Sequence, residues 1–400
     1  MRVGLYGIGG VYNFGCEAIV RGTYQAIKRM DPHAEVVYFS RNHEYDSRVL
    51  ADLDIEVKEV NVSNSFTRRA INKALSHTES TTRASRVPVA EIADDVDLLF
   101  SIGGDIYTIP AVLREKERYP YYNNLVDFCE KVIDRGVPVA VYGASVGPFG
   151  SYQKANDYYV EALRKYSRIV CREEVSTTYL HGLGLDDNVR FLPDPALQLR
   201  GSDWEEGHEK RYVGLNLSPL SVRELYGGDV TQSIPHFAAM VDTIYERLGT
   251  DLLFIPHVIA TDGNDDDLSF LRALAKACSP ATRDHIVLAD CSRGFMGLKP
   301  QLRECYFVAS ARMHCAVNAI DEGVPAIFLS YSAKSIGMCR YVYGDDRWAL
   351  SLKDAESKLP DLMCEMMDAA SEEHSRIVSR YDEMYQYYLD HLGDALGGLF

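Results

Sequence analysis

The stretch Tyr306 to Tyr331, YFVASARMHCAVNAIDEGVPAIFLSY, most constrains what this chain can become. Four apolar or aromatic residues in a row, Tyr306 to Ala309, read as a short buried strand. Ser310 is placed to cap the helix that follows. Met313, Ala316, Val317 and Ile320 recur at helical spacing, and Gly323 ends the helix. Val324-Pro325 then leads into a second apolar strand, Ala326 to Leu329. Strand, turn, helix and strand in this order make a βαβ unit, which commits the region to a parallel sheet. Arg312 and His314 stand at the turn where the helix begins. A helix start offers unpaired N–H groups and partial positive charge. A guanidinium and an imidazole added there make a site for phosphate or carboxylate. The alternative is that Arg312 pairs with a surface acid and His314 is a packing residue.

The same alternation runs through most of the chain. Met1 to Tyr6 reads as a strand, and the glycines of GIGGVYNFG lead into a helix from about Ala18 to Met30. The glycine spacing does not match a dinucleotide fingerprint, so a substrate-cradling loop is expected, with Asn13 and Glu17 as its polar members or as local helix caps. Strands are expected at 36–40, 55–60, 96–102, 137–142, 168–171 and 188–192, alternating with helices. Strand ends carry Gly103-Gly104-Asp105, the Gly143–Gly147 turn containing Ser145, and Arg172. Arg172 either faces a ligand or pairs with Glu173 or Glu174; Asp105 either meets a hydroxyl or caps a turn. The polar run RGSDWEEGHEKR, 200–211, reads as a linker. After it come YVGLNLSP with Asn216 at its exit, DLLFI followed by Pro256 and His257, and the acidic TDGNDDD, read as a solvated loop with helix-capping acids. Leu359, Leu362, Met363, Met366 and Met367 form one face of a C-terminal helical region. The predicted fold is α/β, with two Rossmann-like domains facing a cleft, over 1–200 and 211–350, and C-terminal helices over 351–400 packing on them.

Composition limits the partners. The net charge is −16 with no long basic run, which argues against nucleic acid. An anionic substrate then needs a pocket of a few placed Arg and His residues. The one basic exception is 65–86, a helix from Phe66 to Leu75 followed by a Ser/Thr-rich loop, which reads as an acceptor-binding segment or a solvated connection. Nine scattered cysteines without a CxxC pair point to reduced thiols rather than a disulfide frame or a zinc site. MRVGLYGIGG does not resemble a signal peptide, and no run reaches membrane-span length. A cytoplasmic location is expected, or the inner face of the membrane.

Taken together, the motifs resemble the polysaccharide pyruvyl transferase family. They are SIGGD at 101–105, YGASVGPF at 142–149, CREEVS at 171–176, LPDPAL at 192–197, GLNLSP at 214–219 and ARMHCAVNAIDEGVPAI at 311–327. The resemblance implies a fold like that of the glycosyltransferase-B enzymes. It implies phosphoenolpyruvate as donor and a glycan or lipid-linked oligosaccharide as acceptor, joined as a cyclic pyruvate ketal. It assigns donor binding to Arg172, Arg312, Met313 (through its backbone) and His314, with His314 as the acid. Asn13, Glu17, Gly103, Gly104, Asp105, Ser145, Asn216 and His257 are expected to line the cleft. No cofactor or metal is required. Two other readings share the pattern: a nucleotide-sugar glycosyltransferase and a non-catalytic sugar-binding protein.

Overall fold

Short, almost wholly buried runs such as Leu98–Ile102 and Val139–Ala144 form strands covered on both faces, which is how parallel sheets bury themselves. A computed structural model of the chain describes all residues except 63–64, 76–80, 82–85, 206, 227–229, 261–264 and 331–332. Most of the Ser/Thr-rich loop after Leu75, and Asp262 in the acidic run, therefore lie outside the described residues.

Two compact units emerge. The first comprises Met1–Val11, Ile19–Pro195 and Tyr388–Phe400; the second comprises Tyr12–Ala18 and Ala196–Tyr387. The first holds strands β1 (Arg2–Tyr6), β2 (Glu35–Ser40), β3 (Glu56–Glu59), β4 (Leu98–Ile102), β5 (Val139–Ala144), β6 (Arg168–Cys171) and β7 (Val189–Phe191). They lie in the order β3-β2-β1-β4-β5-β6-β7, and every pair is parallel. The second holds β8 (Tyr212–Asn216), β9 (Asp251–Phe254), β10 (Ile286–Leu288), β11 (Cys305–Ser310), β12 (Ala326–Ser330) and β13 (Ala349–Ser351). Their order is β10-β9-β8-β11-β12-β13, again parallel throughout.

Both sheets thus repeat the doubly wound order, in which the chain starts near the middle, runs to one edge and returns to fill the other. In such sheets a crevice opens at the carboxyl ends where the winding direction reverses. In the first unit that reversal lies between β1 and β4, in the second between β8 and β11. Each sheet has its own core. Leu99, Val139 and Ile169 pack with Val126 and Val132 in the first. Leu215, Phe307, Val308 and Phe328 pack with Trp348 in the second.

The C-terminal region is one helix, Ala355–Leu396, rather than several. Leu359, Met363 and Met366 are fully buried in the second core, and Leu362 and Met367 pack against it, as the spacing suggested. The residues from Tyr388 onward belong to the first unit, where Tyr388 is buried and Arg168 donates to the Gly397 carbonyl at 2.8 Å. The residues Tyr12–Ala18, placed by sequence in the N-terminal domain, cluster with the second unit. The reason is local pairing: Asn13 bridges Val258 antiparallel, Phe14 N–H donates to the His257 carbonyl, and Ile259 N–H donates to the Tyr12 carbonyl. The expected linker is also tied down. The indole of Trp204 donates to the Glu322 carbonyl, and Arg303 reaches Asp203 at 2.8 Å.

Candidate functional site

In the second unit the site is built where β8 and β11 end. Ser310 pairs in register with Asn216, so both polar residues sit at the carboxyl edge of the winding reversal. The helix Met313–Asp321 starts three residues after Ser310, with Arg312 in the cap position in extended conformation. Ser310 is therefore not the cap. Its hydroxyl donates to the Arg312 carbonyl at 2.8 Å, with Asn216 Oδ1 as a second acceptor 3.1 Å away for the same proton, and so shapes the turn before the helix. Asn216 is fully buried and acts as a bracket: Oδ1 accepts the Arg312 N–H at 2.9 Å, and Nδ2 donates to the Ile255 carbonyl at 2.8 Å.

The Arg312 guanidinium pairs with an acid, but the acid is not on the surface. Asp267 is wholly buried, and its Oδ1 accepts Arg312 Nη2 at 2.8 Å. Its Oδ2 accepts the N–H groups of His257 and Val258, each at 3.1 Å. Asp265, with 30% of its side chain exposed, takes the same Nη2. Arg312 Nη1 makes no hydrogen bond among the described residues. Burial works against the Arg312 charge, but Asp267 and Asp265 outweigh it and raise the pKa. Burial raises the pKa of Asp267, and Arg312 opposes it. Asp267 and Asp265 belong to the acidic run read as a solvated loop; among the described residues of that run, Asp266 caps as expected, through Ser269 N–H.

His314 is two residues beyond the cap, in the first helical turn and only half-buried. Gly15 lies against its ring: a Cβ built there would stand 2.6 Å from His314 Nδ1. A glycine at this point lets the Asn13–Gly15 loop close on the imidazole. Asn13 Oδ1 accepts the Gly15 N–H at 3.0 Å, so Asn13 caps its helix from the loop.

Two expected cleft-lining residues are interior. Glu17 is fully buried, and its carboxylate accepts the Phe295 N–H at 2.7 Å, at the start of the helix Gly294–Arg303. An acid there satisfies a helix N-terminus, which is the local-cap alternative with the cap given to another helix. His257 is buried between the rings of Phe14 and Phe295. Burial pushes its pKa well below the usual range, with the positive charges of His314, Arg312 and Lys299 acting in the same direction. It is a neutral imidazole that fixes Asp267 through its backbone rather than a group presented to ligand.

The first unit carries a second cluster. Arg172 follows β6 and is nearly fully buried. Nε donates to Ser145 Oγ at 3.0 Å, Nη1 to Asp194 at 2.9 Å, and Nη2 to Asp105 at 3.2 Å. Neither Glu173 nor Glu174 is its principal partner. Asp194 is buried, whereas the Asp105 side chain is 50% exposed. Gly104 makes room for this: a Cβ there would stand 3.3 Å from the guanidinium, whereas at Gly103, with φ +143, a Cβ would stand 2.6 Å from the Ile106 side chain. Gly104 also accepts the Ser145 N–H at 2.7 Å. The structure thus gathers Gly103, Gly104, Asp105, Ser145 and Arg172 in one unit. It gathers Asn13, Asn216, His257, Arg312, Met313 and His314 in the other. Sequence reasoning missed Asp194, Asp267 and Asp265. An acid between two prolines at a strand exit was the available signal for Asp194.

The family model for polysaccharide pyruvyl transferase matches residues 13–333. Among solved structures, the chain is similar to the UDP-GlcNAc 2-epimerase of Neisseria meningitidis bound to UDP-GlcNAc, with a TM-score of 0.59 and 9% identity, covering 98% of this chain and 100% of that one. It is similar to S. aureus MnaA in its UDP co-structure, with a TM-score of 0.60 and 10% identity, covering 99% and 96%. A glycosyltransferase from Rickettsia africae ESF-5 matches with a TM-score of 0.55 and 11% identity, covering 99% and 98%. These likenesses concern the fold: two parallel-sheet α/β domains of the glycosyltransferase-B type, as the sequence predicted.

Proposed function

The chain belongs to the polysaccharide pyruvyl transferase family, and from that premise we propose that it moves the pyruvyl group of phosphoenolpyruvate onto two hydroxyls of a glycan as a cyclic ketal. The observation that carries this reading is Arg312, held by buried Asp267 and Asn216 at a helix start with His314 beside it. Phosphoenolpyruvate is small and carries a carboxylate and a phosphate. A preset guanidinium beside the N–H groups of Met313 and His314 suits one of those anions. Arg172, braced by Ser145 and Asp194, keeps the donor-binding role its motif implies.

The chemistry follows from the donor. His314 as imidazolium gives a proton to the methylene carbon, and C2 becomes electron-poor. A sugar hydroxyl adds to C2 and its proton returns to the imidazole. The C2–O bond to phosphate breaks, the second hydroxyl closes the ring, and its proton leaves with phosphate. Arg312 orients the donor and stabilises the departing phosphate.

The test is a ligand panel on the full chain. Phosphoenolpyruvate should raise the melting temperature, because a ligand that binds only the folded state stabilises it. With glycosides present it should release inorganic phosphate and form a ketal visible as a new methyl resonance. Release of UDP from a sugar nucleotide, with phosphoenolpyruvate inert, would overturn the reading in favour of glycosyl transfer.

A further inference from the structure

The helix Phe66–Leu75, FTRRAINKAL, has no buried residue. Phe66 is 85% exposed and Ile71 47% exposed. At about 3.6 residues per turn, Phe66, Ala70, Ala74, Thr67, Ile71 and Leu75 follow one another around one side. Arg68, Asn72, Arg69 and Lys73 fill the other. A helix folded onto its own domain turns such an arc inward, as Val126, Cys129 and Val132 do in the helix Asn124–Ile133. Here no member of the arc is buried, yet the amphipathic segregation is clean.

The charge is as unusual as the exposure. The helix carries three cations and no acid, in a chain of net charge −16. Among the described residues no helix is long and apolar enough to cross a membrane. An apolar arc flanked by Arg and Lys can lie flat at the boundary of an anionic bilayer, with the apolar side chains entering the acyl region and the cations meeting headgroups. An acidic protein surface would match the cations but offers few places for Phe66 and Ile71 to enter. We propose that the helix Phe66–Leu75 docks the chain onto an anionic phospholipid surface. The proposal does not depend on the donor chemistry. It would bring the chain to the surface where a lipid-carried glycan is presented.

The experiment is co-sedimentation of the full chain with vesicles. Vesicles of phosphatidylglycerol and phosphatidylcholine should pellet the protein, pure phosphatidylcholine far less, and added salt should weaken the capture. The double variant Phe66→Glu, Ile71→Glu should bind at least about tenfold more weakly, since two exposed apolar anchors are lost. Arg69→Ser with Lys73→Ser should lose the preference for phosphatidylglycerol. All four positions are exposed or half-buried, so melting temperatures should match the wild type. Failure of the wild type to pellet with phosphatidylglycerol, or wild-type capture of the glutamate variant, would overturn the proposal. So would concentration-dependent self-association, without vesicle binding, that Phe66→Glu abolishes; that would give the face to a second copy.

Discussion

Asp267 receives Arg312 through Nη2 at 2.8 Å and Nε at 3.4 Å while the N–H groups of His257 and Val258 hold the same carboxylate from behind. A buried guanidinium aimed by a fully bonded carboxylate has little rotational freedom, so the direction of Arg312 is set before any ligand arrives. Removing the acid should leave the cation with the partly exposed Asp265 as its remaining counter-ion and two backbone N–H groups without their acceptor. Asp267→Ala is expected to cost about 3–5 kcal/mol of stability, read by urea unfolding. Near-wild-type stability would show that the pair is not structural.

Asp265 shares the Arg312 Nη2 from a partly exposed position, where an anionic donor would approach. On the proposed reading, an anionic donor at Arg312 would meet this counter-ion as a like charge. Asp265→Asn should therefore tighten phosphoenolpyruvate binding, about tenfold for each 1.4 kcal/mol of repulsion removed. The gain should shrink as salt rises, because a partly exposed charge is screened. Calorimetric titration at two salt concentrations checks both. Binding of the donor by wild type and variant alike, with no difference, would remove this role while leaving the donor assignment standing.

His314→Ala should keep donor binding and lose turnover by about 10²–10⁴-fold, the usual weight of a general acid. Phosphate release under saturating donor measures it, and full activity would reject the acid role. Gly15→Ala should act on the same step, because its new methyl would press on the His314 ring.

Arg172→Lys is not expected to rescue Arg172→Ala. Three different nitrogens of the guanidinium serve Ser145, Asp194 and Asp105, and one ammonium cannot reproduce that fork. Donor affinity of the two variants, compared by thermal shift, should be similarly poor.

His257 supplies the pH signature. Its folded-state pKa lies well below 6.5 because of burial. As pH falls below about 6.5, the unfolded chain gains a proton that the folded chain refuses, so stability falls until the folded pKa is passed. Above that range the residue adds no slope. His257→Gln should flatten unfolding free energy against pH between about 6.5 and 5, relative to wild type. Parallel curves would show that His257 does not remain neutral.

What the sequence determined by itself was everything that depends on neighbours along the chain. The strand Cys305–Ser310, the helix after Arg312 and its end at Gly323 were legible because period and turn chemistry are local. So was the helix Phe66–Leu75. The placement of Arg172 and Arg312 at strand exits followed from the same patterns. Their partners did not. Asp267 meets Arg312 across 45 positions, and Asp194 meets Arg172 across 22, through turns whose directions no periodicity encodes. Glu17 shows the limit most plainly. It was visible as an acid in a first helical turn, yet the N–H it satisfies belongs to Phe295, 278 positions away. Only the tertiary structure could decide this, because a buried carboxylate must find donors wherever packing brings them, and sequence distance plays no part in that search.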